Sequence, residues 1–246
     1  MVDDEDDTLP DYIAKYGNDV HVFHKADNFD TGDLGGSMSA CVFARNECLK
    51  VAEEHGLTYY LELDDDLENL SYRYNDEGHL RSVKARGLDK LFEGICVYFD
   101  ETSIQGLGFG NAIDYIGGVP TFESDKVNRT GMNSFFLRTS NKFEWRGRNS
   151  EDTITSIDWG QKGQVVFRFR PVNAKFDVWV PKNKSTANGG SISMYEDEGS
   201  FMLRFYAVMF HPDCVSIRQT EGGYDNLTKS SNAYPKIVSS RYKKRG

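Results

Sequence analysis

The sequence predicts an α/β fold with an open sheet, and three observations predict it. A strand-like VHVF (20–23) precedes a glycine-rich loop, an amphipathic helix and a second strand YYLEL (59–63), which is β-loop-α-β order. That second strand runs straight into Asp64, Asp65 and Asp66, and in open α/β sheets ligands bind at the carboxyl ends of strands. Further alternating and helical segments follow without an internal repeat or a convincing linker, so one domain over 1–246 is expected, with a basic tail from about 229.

The elements follow in order. DYIAKYG reads as a short helix stopped by Gly17, VHVF as a strand, and DNFDTGDLGGS as a polar loop. In ACVFARNECLKVAEEHG, the residues Ala44, Cys48, Val51 and Ala52 share a helical face, and Gly56 serves as the stop. Leu88, Leu91, Phe92, Ile95, Cys96 and Phe99 recur at helical spacing and predict a core-facing helix over 88–99. SIQGLGFGNAIDYIGG is predicted to be a long loop, and Gly106, Gly108 and Gly110 do not match the spacing of a dinucleotide-binding turn. NSFFLRT is a strand, and Ser150 is placed to cap a helix beginning at Glu151 and Asp152. QVVFRFRPV and FDVWV predict two strands joined by a turn near Pro171 and Asn173, and KNKSTANGGS a loop. GSFMLRFYAVMF predicts a buried helix and CVSIRQ the last strand.

Composition narrows the class. Hydrophobic residues make up 39% and aromatics 13% of the 246 residues, as in a soluble globular protein, and no apolar run approaches the roughly 20 residues that span a bilayer. Neither a secretory signal nor a membrane partner is expected. Cys41, Cys48, Cys96 and Cys214 form no CxxC pair, which argues against a zinc site or a disulfide framework and for a reducing, cytoplasmic setting. The net charge of −9 is polarised: residues 1–80 carry 5 basic against 20 acidic residues, and the remainder 24 against 18. The terminal RYKKRG, with Lys229 and Lys236, suits either a solvated tail or contact with a polyanion.

Two acidic motifs carry candidate chemistry. Three adjacent carboxylates repel one another unless a cation lies between them, and an oxygen-rich set suits Mg²⁺ or Mn²⁺; a solvated acidic loop is the alternative. Glu151 and Asp152 fit both a favourable first helical turn and a catalytic pair. Arg45 and Asn46, on the preceding helix, suit nucleotide or phosphate contact, while Arg45 equally suits an ion pair with the acidic cluster.

Taken in order, ARN (44–46), LDDD (63–66), GMNSFFLR (131–138), GRNSEDT (147–153) and FYAVMFHPDCVSI (205–217) resemble the phage TET-associated glycosyltransferases. That group has a GT-A-type fold, which implies an open mixed sheet flanked by helices, and is linked with decoration of 5-hydroxymethylpyrimidines in DNA. The resemblance runs from about residue 11 to about 238. It departs at the start, where MVDDEDD stands in place of the usual first strand-helix unit around the nucleobase; either that unit lies upstream or another element replaces it.

The resemblance implies a nucleotide-sugar donor, expected to be a UDP-sugar, with a divalent cation bridging its diphosphate. Asp66 is then the leading metal ligand, Asp65 supports it, and His211 is a third contact, although a histidine before proline also serves as a helix C-terminal charge. Asp64 would lie nearer the ribose or base, with Arg45 and Asn46. Glu151 and Asp152 resemble the acidic pair beneath an acceptor, with Asp152 as general base. For DNA in the host cytoplasm, Arg138, Arg146 and Arg148 are the phosphate candidates, and Trp145 would stack on an unpaired base unless it belongs to the core. A protein or polysaccharide acceptor, or a nucleic-acid-binding module without turnover, are the competing readings.

Overall fold

A computed structural model describes residues 1–25, 41–102, 104–124, 131–147, 149–164, 166–176, 191–220 and 223–234. Its elements are β1 (Val2–Asp3), α1 (Leu9–Tyr16), β2 (Val22–Phe23), α2 (Val42–Glu54), β3 (Tyr59–Leu63), β4 (Leu67–Asp76), β5 (His79–Lys84), α3 (Leu88–Glu101), β6 (Gly106–Gly110), α4 (Val119–Phe122), β7 (Ser134–Arg138), α5 (Glu151–Gln161), β8 (Val166–Phe176), α6 (Ser191–Phe210), β9 (Val215–Thr220), β10 (Gly223–Thr228) and α7 (Ser230–Ala233). The loops predicted at 27–37 and 182–191, Val178–Val180 of the FDVWV strand, Arg148, Lys236 and the terminal RYKKRG fall wholly or largely outside the described residues.

The main sheet has six strands in the order β3-β7-β6-β8-β4-β5, with β6 and β8 parallel and the other neighbours antiparallel. This mixed sheet with helices against it is the predicted α/β architecture, consistent with a GT-A-like fold. The chain opens with a small unit apart from the main sheet, in which β1 and β2 pair in parallel across α1. Val2 and Phe23 are buried there.

Successive side chains of a strand point to opposite faces, and both faces of the central strands β6 and β7 are covered. Phe135 and Leu137 of β7 join Val42, Phe43, Leu49, Trp145 and Trp159 on the side of α2 and α5. Phe136 joins Ile95, Phe99, Leu107 and Phe109 on the side of α3. A third cluster, with Ile154, Ile157, Ala207 and Val215, fixes α5 to α6 and β9.

Several expectations are corrected. The glycine-rich segment is no loop: β6 is wholly buried between β7 and β8. A Cβ on Gly108 would lie 2.9 Å from both the Ser134 carbonyl oxygen and the Gly131 Cα, so glycine is there for a close backbone approach rather than for a turn. The predicted break at Pro171 is likewise absent, since β8 continues through it. Pro171 sits where pairing changes over: residues up to Phe169 pair with β6, the β6 register then shifts, and from Val172 onward the strand also pairs with β4. No ladder donor is demanded of the proline at that point.

Residues beyond the acidic triplet form a hairpin of β4 and β5, not expected from the sequence. Its two-residue loop, Glu77-Gly78, has both φ angles positive, 49° and 85°, as hairpin twist requires. On α2 the buried face is Val42, Phe43, Arg45, Leu49 and Ala52, rotated from the expected one by the inward Arg45; Ala44 and Cys48 lie at its margin. Helix α6 buries Leu203 and Ala207 but leaves Phe201, Met202, Phe205 and Met209 exposed, and CVSIRQ is followed by one more strand, β10.

Candidate active site

Topology brings three strand ends to one edge of the sheet. Leu63, the last residue of β3, lies opposite Ser134, the first of β7; Phe109 near the end of β6 donates its N–H to Ser134 Oγ at 3.1 Å. Asp64 continues the ladder by donating its N–H to the Asn133 carbonyl at 3.1 Å. Its side chain therefore emerges at a carboxyl edge of the sheet, while Asp65 and Asp66 on the following turn are exposed.

Arg45 organises this edge. It rises from the first turns of α2, its side chain only 8% exposed, and its guanidinium lies over the Trp145 ring at 4.5 Å and the Phe135 ring at 5.5 Å. One end, Nη2, donates to Asp64 Oδ1 at 2.9 Å, and the other, Nη1, donates to Glu151 Oε1 at 3.0 Å. The planar guanidinium suits two such directed bonds while its faces stack on aromatic rings. Cys41 Sγ donates to the same Glu151 oxygen at 3.3 Å. The ion-pair alternative for Arg45 is thus the observed one, and it joins the two acidic motifs.

The acidic pair begins α5, and the residue before it is not the expected cap. Ser150 has φ 56° and makes no side-chain capping bond. Its hydroxyl instead donates to Asn149 Oδ1 at 3.2 Å and accepts from Asn226 at 3.1 Å, with Arg204 of α6 at 3.5 Å. A left-handed conformation at a side-chain-bearing residue is a strained state held by its surroundings. Here it aims the first turn of α5 toward Arg45. The Asp152 carboxyl is pushed up to about 6, first by burial and then by the Glu151 charge, with Arg45, the Thr153 N–H and Arg204 pulling in the other direction. Burial also raises Asp64, and Arg45 offsets part of that rise.

Other expected site residues lie elsewhere. Asn46 is taken up by the Trp145 backbone: its Oδ1 accepts the Trp145 N–H at 2.7 Å and its Nδ2 donates to the carbonyl at 3.1 Å, so it fixes the loop rather than facing a nucleotide. Trp145 is 1% exposed and packs edge-on against Phe135 and Trp159, which removes it as a stacking surface for a base. Arg138 lies opposite Tyr59 at the far end of β3, roughly 16 Å from Asp64 at strand rise. There it donates to the Phe99 carbonyl at 2.9 Å and lies over the Tyr59 ring. Arg146 pairs with Asp158 at 3.2 Å and covers the Phe210 ring at 5.1 Å, about two helical turns from Glu151.

His211 is buried on that same side of α5, with Nε2 3.1 Å from the Ile154 carbonyl and 3.4 Å from Asp158. Burial works against the Asp158 charge, but His211 and Arg146 outweigh it and hold this carboxyl below its ordinary range. The imidazole thus buttresses α5 and leaves the expected metal set. Among the described residues no three His, Cys, Asp or Glu side chains converge as a metal-binding group. Two hard, exposed carboxylates, Asp65 and Asp66, nevertheless suit Mg²⁺, which is commonly bound through only one or two protein carboxylates, or Mn²⁺.

Glu62, Ser150 as a strained pivot, and Arg204 join the site without having been expected there from the sequence. Glu62 carried a signal, because alternation along β3 puts it on the same face as Tyr60 and Asp64. Arg204 carried none, since its approach to Ser150 spans 54 residues.

Among the described residues no helix is long and apolar enough to cross a membrane. Comparison with curated proteins and with solved structures found no match. A family model described as TET-Associated Glycosyltransferase matches residues 1–190, which include Arg45, the acidic triplet and the Glu151-Asp152 pair. With most of its length and both acidic motifs inside that match, the chain belongs to the TET-associated glycosyltransferase family.

Proposed function

We propose that this chain transfers a sugar from a nucleotide-sugar donor, a UDP-sugar first among candidates, to the hydroxymethyl group of 5-hydroxymethylcytosine or 5-hydroxymethyluracil in DNA. The observation that supports this reading is the single Arg45 guanidinium between Asp64 and Glu151. It ties a strand-end carboxylate suited to the donor to the acidic pair suited to the acceptor. The acceptor class comes from the family resemblance.

In this reading Asp64 faces the donor and is held in place by Arg45. Glu151 Oε1 already accepts from Arg45 and Cys41, so Glu151 orients and Asp152 acts as base. A carboxyl titrating at about 6 is largely ionised at neutral pH yet more basic than an ordinary aspartate. Asp152 takes the proton of the hydroxymethyl group as its oxygen bonds to the anomeric carbon and the bond to the diphosphate oxygen breaks, with inversion. Asp65 and Asp66 would hold Mg²⁺ or Mn²⁺, which would supply positive charge to offset that on a departing diphosphate.

The test is nucleoside mass spectrometry after incubating DNA containing 5-hydroxymethylcytosine or 5-hydroxymethyluracil with a panel of nucleotide sugars and Mn²⁺. A sugar-sized mass gain on one modified base supports the reading. No gain with any donor, together with transfer to a protein or glycan acceptor, overturns the DNA assignment.

A further inference from the structure

Beneath the Arg45 bridge lies a carboxyl that the mechanism above does not use. Glu62, on β3 two residues before Asp64, is 5% exposed. Its Oε1 accepts the Trp145 indole N–H at 3.4 Å, while its Oε2 is buried without a hydrogen-bond partner among the described residues. The other face of the arrangement is already fixed: Asn46 clamps the Trp145 backbone, and Arg45 lies on the indole ring. A contiguous stack therefore runs from Glu62 through Trp145 to Arg45 and ends on Asp64 and Glu151.

We infer that Glu62 is a positioning residue for the Arg45 bridge, acting through the Trp145 indole, and that it does so in its uncharged form. A buried anionic oxygen without a donor is costly, whereas a neutral carboxylic acid in the same place is far less so. An ionised Glu62 would also place a third anion near Arg45, in competition with Asp64 and Glu151. The groups around it are consistent with this. Burial pushes Glu62 up to about 8, with Arg45 and the Trp145 N–H opposing and Asp64 reinforcing the rise. Tyr60 on the same strand and Cys48 on α2 are further titratable neighbours, and both are themselves raised by burial. At neutral pH the stack thus holds one cation shared by two site anions; above about pH 8 it acquires a third.

This inference rests on the glycosyltransferase reading for its consequence, but its structural core can be read without turnover. In protein labelled with ¹⁵N at tryptophan, the Trp145 indole resonance is identified by its loss in Trp145→Phe. Should that variant not fold, the spectra of Trp159→Phe and Trp179→Phe identify it by elimination. The expected result is a Trp145 indole shift with a midpoint near pH 8 that disappears in Glu62→Gln. An indole resonance flat from pH 6 to 10, or one whose titration survives in Glu62→Gln, overturns the inference. With an active donor and acceptor, the rate of the wild type is expected to fall above pH 8 and the rate of Glu62→Gln is not. Identical alkaline limbs in the two also overturn it. If no donor is turned over, the resonance titration still decides the role of Glu62, so the two readings fail separately.

Discussion

Arg45 Nη1 lies 3.0 Å from Glu151 Oε1 across 106 residues of sequence, and this contact closes the candidate active site. It joins helix α2 to the start of α5, while the other end of the same guanidinium holds Asp64 at the end of β3. Arg45→Met leaves two carboxylates, 30% and 18% exposed at the side chain, without their counter-charge. Breaking a buried pair from one side costs about 3 kcal/mol. A loss of that size in urea unfolding is expected, together with loss of transfer. Arg45→Lys, which replaces the planar fork with a single ammonium, is expected to recover part of the stability but less than a tenth of the activity.

Asp152 makes opposite contributions to stability and to rate. Its folded value of about 6 lies above the ordinary 3.8, so the folded state binds more protons than the unfolded state between those pH values. This group therefore costs stability as pH rises through about 4 to 6, and the cost persists above. Asp152→Asn is expected to raise the thermal midpoint at pH 7.5 relative to the wild type, with little difference at pH 4. Thermal scans at the two pH values check this. Transfer by the wild type should rise with pH through about 6 as Asp152 deprotonates, and Asp152→Asn should lower kcat by roughly a hundredfold or more.

Gly108→Ala tests the close approach of β6 to β7. The added Cβ would meet the Ser134 carbonyl oxygen and the Gly131 Cα, both at 2.9 Å, and neither belongs to a side chain that can rotate away. Overpacking of this kind costs about 1 to 3 kcal/mol. The denaturation midpoint of Gly108→Ala is expected to fall accordingly, whereas Gly94→Ala, where a Cβ meets nothing within 4 Å on α3, is expected to be neutral or stabilising.

Asp65 and Asp66 separate metal binding from folding. Both are exposed on the turn after β3. Asp65→Ala and Asp66→Ala are expected to weaken binding of Mn²⁺ with a nucleoside diphosphate at least tenfold by calorimetry, with the larger effect at Asp66. His211→Ala is expected to leave that affinity within about twofold and instead to lower the thermal midpoint, because its imidazole supports α5 through Ile154 and Asp158.

Local patterns carried much of this in the sequence. The apolar periodicity of α3, apart from the exposed Leu88, the alternation in YYLEL and the placement of Asp64 at a strand end are short-range features, and they appear in the structure. What was illegible depended on partners distant in the chain. Gly106, Gly108 and Gly110 read as a loop because glycine is a turn residue locally, yet here crowding by neighbouring strands and by Gly131 and Tyr115 demands it. Trp145 stands in a polar, arginine-rich segment that locally suits stacking on a base as well as a core position, and the facing rings of Phe135 and Trp159 bury it. Arg146 and His211 likewise read as surface or ligand groups until Asp158 was placed between them. Arg45 was readable as either ion pair or ligand contact, and only the fold shows that its two partners are the two acidic motifs.

Whether the Arg45-linked carboxylates form one glycosyl-transfer site is decided by comparing the wild type with Asp152→Asn on DNA containing 5-hydroxymethylcytosine or 5-hydroxymethyluracil. Nucleoside mass spectrometry reads transfer, and calorimetry reads donor binding in the same preparations. The expected result is a sugar-sized mass gain with the wild type, and no gain with Asp152→Asn despite donor affinity within about threefold. Transfer by Asp152→Asn at the wild-type rate, or a wild type that binds the donor and modifies neither base, would contradict it.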